Sequence, residues 1–391
     1  MNDNVKQTEV NDNVKQFEIK PRIYFDEGSL EYLKEITDKN AFILSDLIME
    51  KLGYLQSAEL YLRSAGVTCD VYTDVKPEPD VVAVIHTLEH YMNHPGQAII
   101  ALGGGSAMDT AKAMIYFLYQ AFKSSGKEFK KPLFIAIPTT SGTGSEVTDF
   151  SVITINGKKT ALIDELMIPD IAILDSTCTK NLPPHVIADT GLDALVHAIE
   201  AYVSTDATDC TDALAEKAVY IIYKNLVRFF KNADDKEARQ CIQRASCLAG
   251  MAFTNANLGI THSMAHALGG TFHLSHGRSN ALLMEKVIQY NAHLDDCIDN
   301  RATEKYSHLA KVMGLPARTV REGYVNFVQA IVQLKRNLQI PSSIRDAGID
   351  EKEFLVALEA MAGQAMADRC TPTNPRVPTK EEIVSIYKKA F

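Results

Sequence analysis

The sequence lacks three features that mark common protein classes: paired cysteines, long apolar runs and clusters of basic residues. No stretch approaches about 18 consecutive apolar residues, and the polar start MNDNVKQ has no apolar signal core, so we expect neither membrane insertion nor secretion. The seven cysteines are scattered, odd in number and without a CxxC pair, which favours reduced thiols in the cytoplasm over a disulfide framework. They are Cys69, Cys178, Cys210, Cys241, Cys247, Cys297 and Cys370.

The charge balance argues against nucleic acid as a partner. The net charge is -9, and no run of lysine and arginine grows into the patch that phosphate binding needs. A length of 391 residues predicts two domains or one large one, and 46% apolar residues are enough for buried cores.

Residues 1–18 contain a tandem repeat, NDNVKQTEV followed by NDNVKQFEI. Because the segment is short and polar, we expect a solvated N-terminal extension. The alternative is a docking peptide, since its few apolar side chains form a thin and irregularly spaced stripe. These side chains are Val5, Val10, Val14, Phe17 and Ile19.

The rest of the chain divides into two parts of different character. Residues 19–184 alternate short apolar runs with helical stretches, which predicts an open parallel α/β sheet with strands buried on both faces. Residues 185–391 carry long amphipathic stretches and almost no strand signal, which predicts a helical domain. The strand candidates are AFILS (41–45), CDVYTD (69–74), QAIIAL (97–102), LFIAIP (133–138) and DIAILD (170–175).

Two loops at the predicted sheet edge indicate a dinucleotide-binding domain. QAIIALGGGSAMDTAKAM reads as a strand, a glycine turn and a helix, an arrangement in which backbone N–H groups and a helix N-terminus can hold a pyrophosphate. The turn departs from GxGxxG, since Met108 takes the place of the third glycine. IPTTSGTGSEVT then offers hydroxyls and amides after the next strand, at the same edge.

Asp46 follows the strand AFILS and has two interpretations. A carboxylate at this strand tip can accept hydrogen bonds from ribose hydroxyls and would repel a 2′-phosphate, which favours NAD(H). Equally, Asp46 can be the N-cap of the following helix LIMEKLGYL.

Four side chains between residues 193 and 276 form the donor set for one divalent metal. Asp193 and His197 are four residues apart and share a helix face, while His262 and His276 follow in THSMAHALGGTFHLSH. One carboxylate with three imidazoles suits Fe(II) or Zn(II) and not Ca(II) or Mg(II). His266, one turn beyond His262, remains as a candidate catalytic residue that relays a proton.

The other histidines are left unassigned. His86, His90 and His94 have i, i+4 spacing, but they lie in a polar helix before Pro95 and lack a partner elsewhere in the sequence, so we do not expect a metal there. His273 either lines the substrate pocket or packs structurally.

At these motifs the chain resembles the iron-containing (group III) alcohol dehydrogenases. The residues that carry the resemblance span most of residues 20–391. They are GGGSAMDTAKA, IPTTSGTGSEVT, PDIAILD, ADTGLDALVHAIEAYVS, LAGMAF, the segment from His262 to His276 with GRSNALL after it, and TNPR.

The resemblance implies an N-terminal dinucleotide-binding domain that meets a helical domain across an active cleft. It implies Asp193, His197, His262 and His276 as metal ligands and His266 as a cleft histidine that is not a ligand. For the cofactor it implies Gly104, Gly105, Ser106 and Asp109 near the pyrophosphate, Thr139, Thr140 and Thr143 near the adenosine, Thr148 and Lys159 near the nicotinamide ribose, and Asp46 as the acid that favours NAD.

Within that family the chain is most similar to the propanol dehydrogenases of propanediol-utilisation bacterial microcompartments, through TDALAEKA, LAGMAF and FHLSHGRSNALL. This likeness gives residues 1–18 a use as a peptide that docks on a shell protein, with the enzyme inside the compartment. It departs at Arg278, where relatives often have a small or apolar residue, which changes the expected pocket shape. We also expect a homodimer or a higher homo-oligomer.

The predicted function is therefore reversible hydride transfer between NAD(H) and short primary alcohols or aldehydes such as 1-propanol and propanal, assisted by Fe(II) or Zn(II). One alternative is a metal- and NAD-dependent lyase or cyclase of the dehydroquinate-synthase type, which would need a basic pocket. Another is a non-catalytic microcompartment component.

Overall fold

The computed structural model describes residues 16–155, 157–293 and 300–391. The two copies of the N-terminal repeat fall mostly outside these ranges, so the solvated extension and the docking peptide both stay predictions. None of the helices in the described ranges combines the length and the hydropathy needed to cross a lipid bilayer.

The N-terminal part contains a six-stranded parallel sheet with the strand order β3-β2-β4-β5-β8-β1, which confirms the predicted fold class. The central strand β4 is buried along its whole length, which explains why its sequence does not alternate between polar and apolar residues. The strands are β1 (Arg22–Phe25), β2 (Asn40–Leu44), β3 (Thr68–Tyr72), β4 (Ala98–Gly103), β5 (Leu133–Pro138), β6 (Phe150–Ile155), β7 (Lys158–Ile163) and β8 (Ile171–Leu174).

Helices cover both faces of this sheet. The first four are α1 (Leu47–Lys51), α2 (Tyr54–Ser64), α3 (Val81–Asn93) and α4 (Gly105–Ser124). Helix α2 packs against the apolar side chains of one sheet face, and α3 and α4 pack on the other face. The carboxyl ends of the parallel strands are therefore left open at one edge, where a ligand can bind.

The strands β6 and β7 form an antiparallel hairpin that the sequence interpretation missed. The hairpin packs against α4 and α3 rather than joining the main sheet. It extends the α/β domain toward the helical domain and forms one wall of the cleft between them.

The C-terminal part is helical throughout its described residues, as predicted. Its first helix, α5, begins at Pro184 and is buried on nearly every side, because the other helices surround it. The helices are α5 (Pro184–Val203), α6 (Asp209–Lys231), α7 (Lys236–Ala256), α8 (Ile260–Phe272), α9 (His276–Ala292), α10 (Arg301–Met313), α11 (Val320–Asn337), α12 (Glu351–Ala367) and α13 (Lys380–Ala390).

The two parts touch at a pair of glycines. Gly144 has a positive φ of 61° in the loop after β5, and a Cβ added there would lie 2.7 Å from the Cα of Gly250 on α7. A Cβ added at Gly250 would lie 2.9 Å from the carbonyl oxygen of Gly144. Neither position has room for a side chain, so backbone meets backbone where the cleft begins.

Candidate functional site

A cavity of about 550 Å³ lies between the α/β domain and the helical domain. Its walls combine the glycine turn, the threonine loop, the hairpin and the four candidate metal ligands, so the structure brings together both sets of motifs found in the sequence. A cleft of this size is typical of sites for small molecules and cofactors.

The glycine turn joins the end of β4 to the start of α4. Gly104 is the N-cap and has no side chain to accept hydrogen bonds from the first turn, so the N–H groups at the helix start face the cleft without a capping partner. A Cβ added at Gly105 would lie 3.0 Å from Thr143 Cγ2, which shows how tightly the turn packs against the next loop. Free N–H groups and the positive end of a helix dipole are a ready site for a pyrophosphate.

The threonine loop follows β5 and is tied to the glycine turn, since the N–H of Thr139 donates to the carbonyl oxygen of Gly103 at 2.9 Å. Thr140 and Thr143 line the cavity beside Ser106. Thr139 is buried behind them. Thr148, expected near the nicotinamide ribose, is fully buried and is not part of the cavity wall.

The hydroxyl of Thr148 instead accepts a hydrogen bond of 2.8 Å from Lys112 Nζ, a fully buried ammonium on α4. The same Nζ also lies 2.9–3.0 Å from Ser145 Oγ and from the carbonyl oxygens of Thr148 and Phe150, so its three N–H groups are shared among four acceptors. Burial lowers the pKa of Lys112 to about 8 and raises that of neighbouring Asp109 to about 7. This lysine fixes the threonine loop to the helix of the glycine turn, and the sequence interpretation missed it.

The structure shows Asp46 as an N-cap, and its role in cofactor preference stays a prediction. Its Oδ1 accepts from the N–H groups of Ile48 and Met49 at 2.8 and 3.0 Å, so it caps α1. Its Oδ2 lies near the glycine turn: the distance from this oxygen to a Cβ built on Gly103 would be 3.6 Å. The cap occupies one carboxylate oxygen, and Asp46 itself is not part of the cavity wall.

Lys159, on β7, lies in the cavity wall, where its Nζ pairs with Glu78 Oε1 at 2.7 Å. Asp109 also borders the cavity, on the first turns of α4. The hairpin thus supplies a cation and several apolar side chains to the half of the cleft nearest the sheet.

The four candidate metal ligands come from three helices. Asp193 and His197 lie one turn apart on α5, His262 lies in the first turn of α8, and His276 begins α9. One donor atom from each lies within 4.8 Å of the others. His276 Nε2 is 3.4 Å and His262 Nε2 is 3.9 Å from Asp193 Oδ1. The structure therefore brings the whole predicted set together.

Neighbouring groups orient these donors. His262 Nδ1 lies 2.7 Å from Glu200 Oε2, and His197 Nδ1 lies 3.2 Å from the carbonyl oxygen of Gly142. The amide of Asn280 donates to Asp193 Oδ1 at 2.7 Å. The hydrogen bonds of the two Nδ1 atoms keep the proton on Nδ1, and they turn the lone pair of Nε2 toward the other ligands.

The donor set fits a metal for a further reason. His262 Nε2 is completely buried and has no hydrogen-bond partner among the residues that the structure describes, although it faces the carboxylate and the other imidazoles. A buried polar nitrogen without a partner is costly unless another group satisfies it. A borderline divalent cation coordinated by three nitrogens and one oxygen would do so.

Protonation favours the same conclusion. Burial lowers the pKa of His197 and His262, and lowers that of His276 to about 4. Burial alone would raise the pKa of Asp193, but the surrounding imidazoles and the Asn280 amide outweigh it and hold the pKa below its usual value. At neutral pH the site is thus a carboxylate with three neutral imidazoles, the form that binds a metal.

His266 lies in the cavity wall beside the set, outside the group of mutually close donors. Its Nδ1 is 2.8 Å from Asp368 Oδ2, and its ring stacks on His276 with centroids 5.3 Å apart. Burial would raise the pKa of Asp368, but the hydrogen bond with His266 and further donors hold it well below its usual value. A carboxylate on Nδ1 leaves Nε2 as the nitrogen able to exchange a proton.

The cavity contains further residues that sequence reasoning missed. Phe150 and Phe253 form an apolar wall with ring centroids 5.6 Å apart, and the guanidinium of Arg369 lies 5.8 Å above the Phe150 ring. Arg278, flagged for its effect on the pocket, points to Asp189 with an Nε–Oδ1 distance of 2.7 Å. His273 ends α8 in a left-handed conformation and is not in the cavity wall.

Two family models match nearly the whole chain. The model of iron-containing alcohol dehydrogenases matches residues 20–176, and the model of the C-terminal part of the Fe-containing alcohol dehydrogenase family matches residues 187–391. Residues 177–186, which include the start of α5, separate the two matches.

Curated relatives and solved structures agree with these models. The chain is 41% identical to the aldehyde-alcohol dehydrogenase of Streptococcus pneumoniae, over 95% of this chain and 45% of that protein, so it spans about half of that relative. It is 38% identical to the 1-propanol dehydrogenase PduQ of Salmonella typhimurium, over 95% of this chain and 98% of that one. The solved alcohol dehydrogenase of Oenococcus oeni superposes with a TM-score of 0.89 at 32% identity, covering 97% of this chain and 100% of that one.

Proposed function

The chain belongs to the iron-containing alcohol dehydrogenase family, and from that premise we propose that it is a metal-dependent, NAD-linked alcohol dehydrogenase of short primary alcohols. In the cell it acts mainly as a reductase of the corresponding aldehydes, such as propanal. The observation that carries this proposal is the meeting, in one cavity, of an uncapped helix start beside a threonine loop with a buried set of one carboxylate and three imidazoles.

A divalent cation on Asp193, His197, His262 and His276 supplies Lewis acidity, and NAD(H) bound at the sheet edge supplies or accepts the hydride. The residues of the chain then have separate tasks. Gly104, Gly105 and Ser106 hold the pyrophosphate, while Thr140 and Thr143 hold the adenosine half. Thr139 supports them from behind. Fe(II) is the metal that the family name favours over Zn(II).

His266 moves the proton in this proposal. Asp368 on Nδ1 fixes the ring, so that Nε2 can give a proton to the oxygen of a reduced aldehyde and recover it from water in the cleft. Phe150 and Phe253 close the pocket around a short apolar chain. The preference for NAD(H) over NADP(H) rests on the free oxygen of Asp46 near the glycine turn.

The test is NADH oxidation with ethanal, propanal and butanal, using protein purified without oxygen and loaded with Fe(II) or with Zn(II). We expect steady turnover, and we expect His262→Ala to lose both metal and activity. His308→Ala is the matched control, since His308 lies on α10 and pairs with Glu216 at 3.2 Å. Absence of turnover with either metal, or full activity after exhaustive chelation, would contradict the proposal.

The proposed location inside a bacterial microcompartment rests on the sequence likeness to propanol dehydrogenases and on the repeat within residues 1–18. Deletion of these residues should leave the activity intact and abolish association with shells. Co-purification of the truncated protein with shells would refute the docking role and would leave the enzymatic proposal untouched.

A further inference from the structure

A second cluster of metal-binding side chains lies away from the cleft. Asp70 is on β3, the edge strand of the sheet, His90 is in the last turn of α3, and His94 ends that helix. None of the three belongs to the cavity wall. The sequence showed the two histidines at i, i+4 spacing but not the carboxylate that the fold places beside them.

The three side chains present one donor atom each within 4.8 Å of the others. His90 Nε2 lies 2.8 Å from Asp70 Oδ2, and His94 Nδ1 lies 3.9 Å from Asp70 Oδ1. Ligands about 2.1 Å from a tetrahedral cation are separated by about 3.4 Å. The two observed distances involve different oxygens of Asp70 and lie on either side of that value, so the site would form by rotation of the carboxylate and of the more exposed His94 side chain.

The surrounding structure holds these side chains in place. Asp70 pairs in register with Phe42, so both side chains lie on the sheet face that α3 covers. The His90 ring contacts Phe42 and Tyr72, with centroid distances of 5.8 and 5.4 Å. The ring therefore has few alternative orientations.

The backbone at His94 is held as well. Its N–H donates to the carbonyl oxygen of His90 at 3.1 Å, and the following Pro95 restricts its conformation. The carbonyl oxygen of Pro95 accepts from the side chain of Asn40 on β2 at 2.8 Å. The end of α3 is thus fixed to the sheet that carries Asp70.

We propose that Asp70, His90 and His94 form a second, surface metal site that binds a borderline divalent cation, with Zn(II) as the preferred occupant. Two imidazoles and one carboxylate are the donors that such cations select, and the partly exposed location leaves room for water as a fourth ligand. The cation would join the edge strand β3 to the end of α3. Its role is therefore structural, and it is independent of the chemistry in the cleft.

The test counts zinc per chain after equilibrium dialysis in native protein, in the double variant His90→Ala/His94→Ala and in His86→Ala. His86 is the matched control, because it is exposed on the same helix and is not a member of the cluster. The metal site in the cleft is unchanged in all three proteins, so the difference in total zinc between them reports the second site. We expect native protein and the control to hold one equivalent more than the double variant.

A second measurement uses stability. Zinc should raise the thermal midpoint of native protein and of His86→Ala further than that of the double variant, because only a folded site gains binding energy. Turnover of propanal should be equal in all three proteins when the metal site in the cleft is occupied to the same extent. If the double variant folds poorly, the single variant of the more exposed His94 gives the same readout.

Equal zinc content in native protein and in a folded variant would overturn the proposal and reduce the cluster to a hydrogen bond between Asp70 and His90. Asp70→Asn distinguishes the two further, since loss of the carboxylate should weaken zinc binding by at least about tenfold. Unchanged zinc affinity in Asp70→Asn would also contradict the site.

Discussion

Glu200→Gln should weaken metal binding in the cleft although Glu200 is not itself a ligand. Its Oε2 accepts from the N–H of Gly259 at 2.9 Å and lies 2.7 Å from His262 Nδ1, while its Oε1 accepts from the N–H of Thr261 at 2.7 Å. The side chain is only 4% exposed, so water cannot replace these contacts. All three neighbours are donors, and they require an acceptor at both oxygens.

A glutamine of the same size has one acceptor oxygen. If that oxygen takes the place of Oε2, the amide NH₂ faces the N–H of Thr261, at a cost of about 1–3 kcal/mol for an unpaired buried donor. The other orientation places NH₂ against His262 and favours the tautomer with a proton on Nε2, which cannot bind a metal. Loss of such an orienting carboxylate weakens metal binding about 10–100-fold, or about 1.4–2.7 kcal/mol.

The assay is a titration of metal-free protein with Zn(II) against a competing chelator, followed by isothermal calorimetry. Glu216→Gln is the matched control, because Glu216 accepts a hydrogen bond of 2.8 Å from Tyr202 on the far side of α5. We expect the control to bind like native protein. An affinity within about twofold of native in a folded Glu200→Gln would refute the reasoning that this carboxylate sets the tautomer of His262.

Three further outcomes are expected. His266→Ala should keep its metal but turn over more slowly, with the largest loss where proton transfer limits the rate; loss of metal would show that His266 is a ligand. Asp46→Ser should admit NADPH while keeping the α1 cap, because serine is also a good N-cap. Asp350→Ser, which makes the same change at a similar cap on α12, is the control. Unchanged cofactor preference in Asp46→Ser would leave Asp46 as a cap only. Burial lowers the pKa of the three histidine ligands, so below about pH 6.5 the unfolded chain binds more protons than the folded protein. The free energy of unfolding of metal-free protein should therefore decrease as the pH falls from there toward 4. A constant urea midpoint over that range would contradict this.

Much of the fold was predictable because its signals are local. Strands buried on both faces appear as apolar runs, and four of the five runs proposed from the sequence correspond to β2, β4, β5 and β8. The fifth corresponds to β3, a half-exposed edge strand, and the other edge strand, β1, was missed. The glycine turn and the histidine pairs are likewise visible within single segments. The agreement of the family models with the family inferred from these motifs confirms that inference.

The hairpin was not predicted, because its two strands are short and half-exposed and follow neither a buried apolar run nor a regular polar–apolar alternation. The β-branched run VITI and the Asn-Gly pair that follows it at positions 156 and 157 of the sequence were the signal that could have found it. Its place at the cleft depends on packing against α4, which no local pattern encodes.

Contacts between side chains that are far apart in the sequence also could not be predicted from local patterns. Glu200 lies on the same α5 face as Asp193 and His197, at i+7 and i+3, so its spacing indicated the ligand side of that helix. Its contact with His262 joins residues 62 positions apart. In the same way, Asp70 and Lys112 acquire their roles only when separate elements meet, and the distance between those elements is a property of the fold.

For the alcohol dehydrogenase proposed above, the contact between Gly144 and Gly250 limits how the substrate range could change. The aperture between the two lobes is fixed there by main chain on both sides, with nothing that a point mutation could trim to bring them nearer. Adding a methyl group at either glycine would wedge the lobes apart and misalign the two halves of the site together. Adjustment to longer or bulkier alcohols must therefore come from the lining, at Phe150, Phe253 and Arg369, while the spacing of the lobes stays constant.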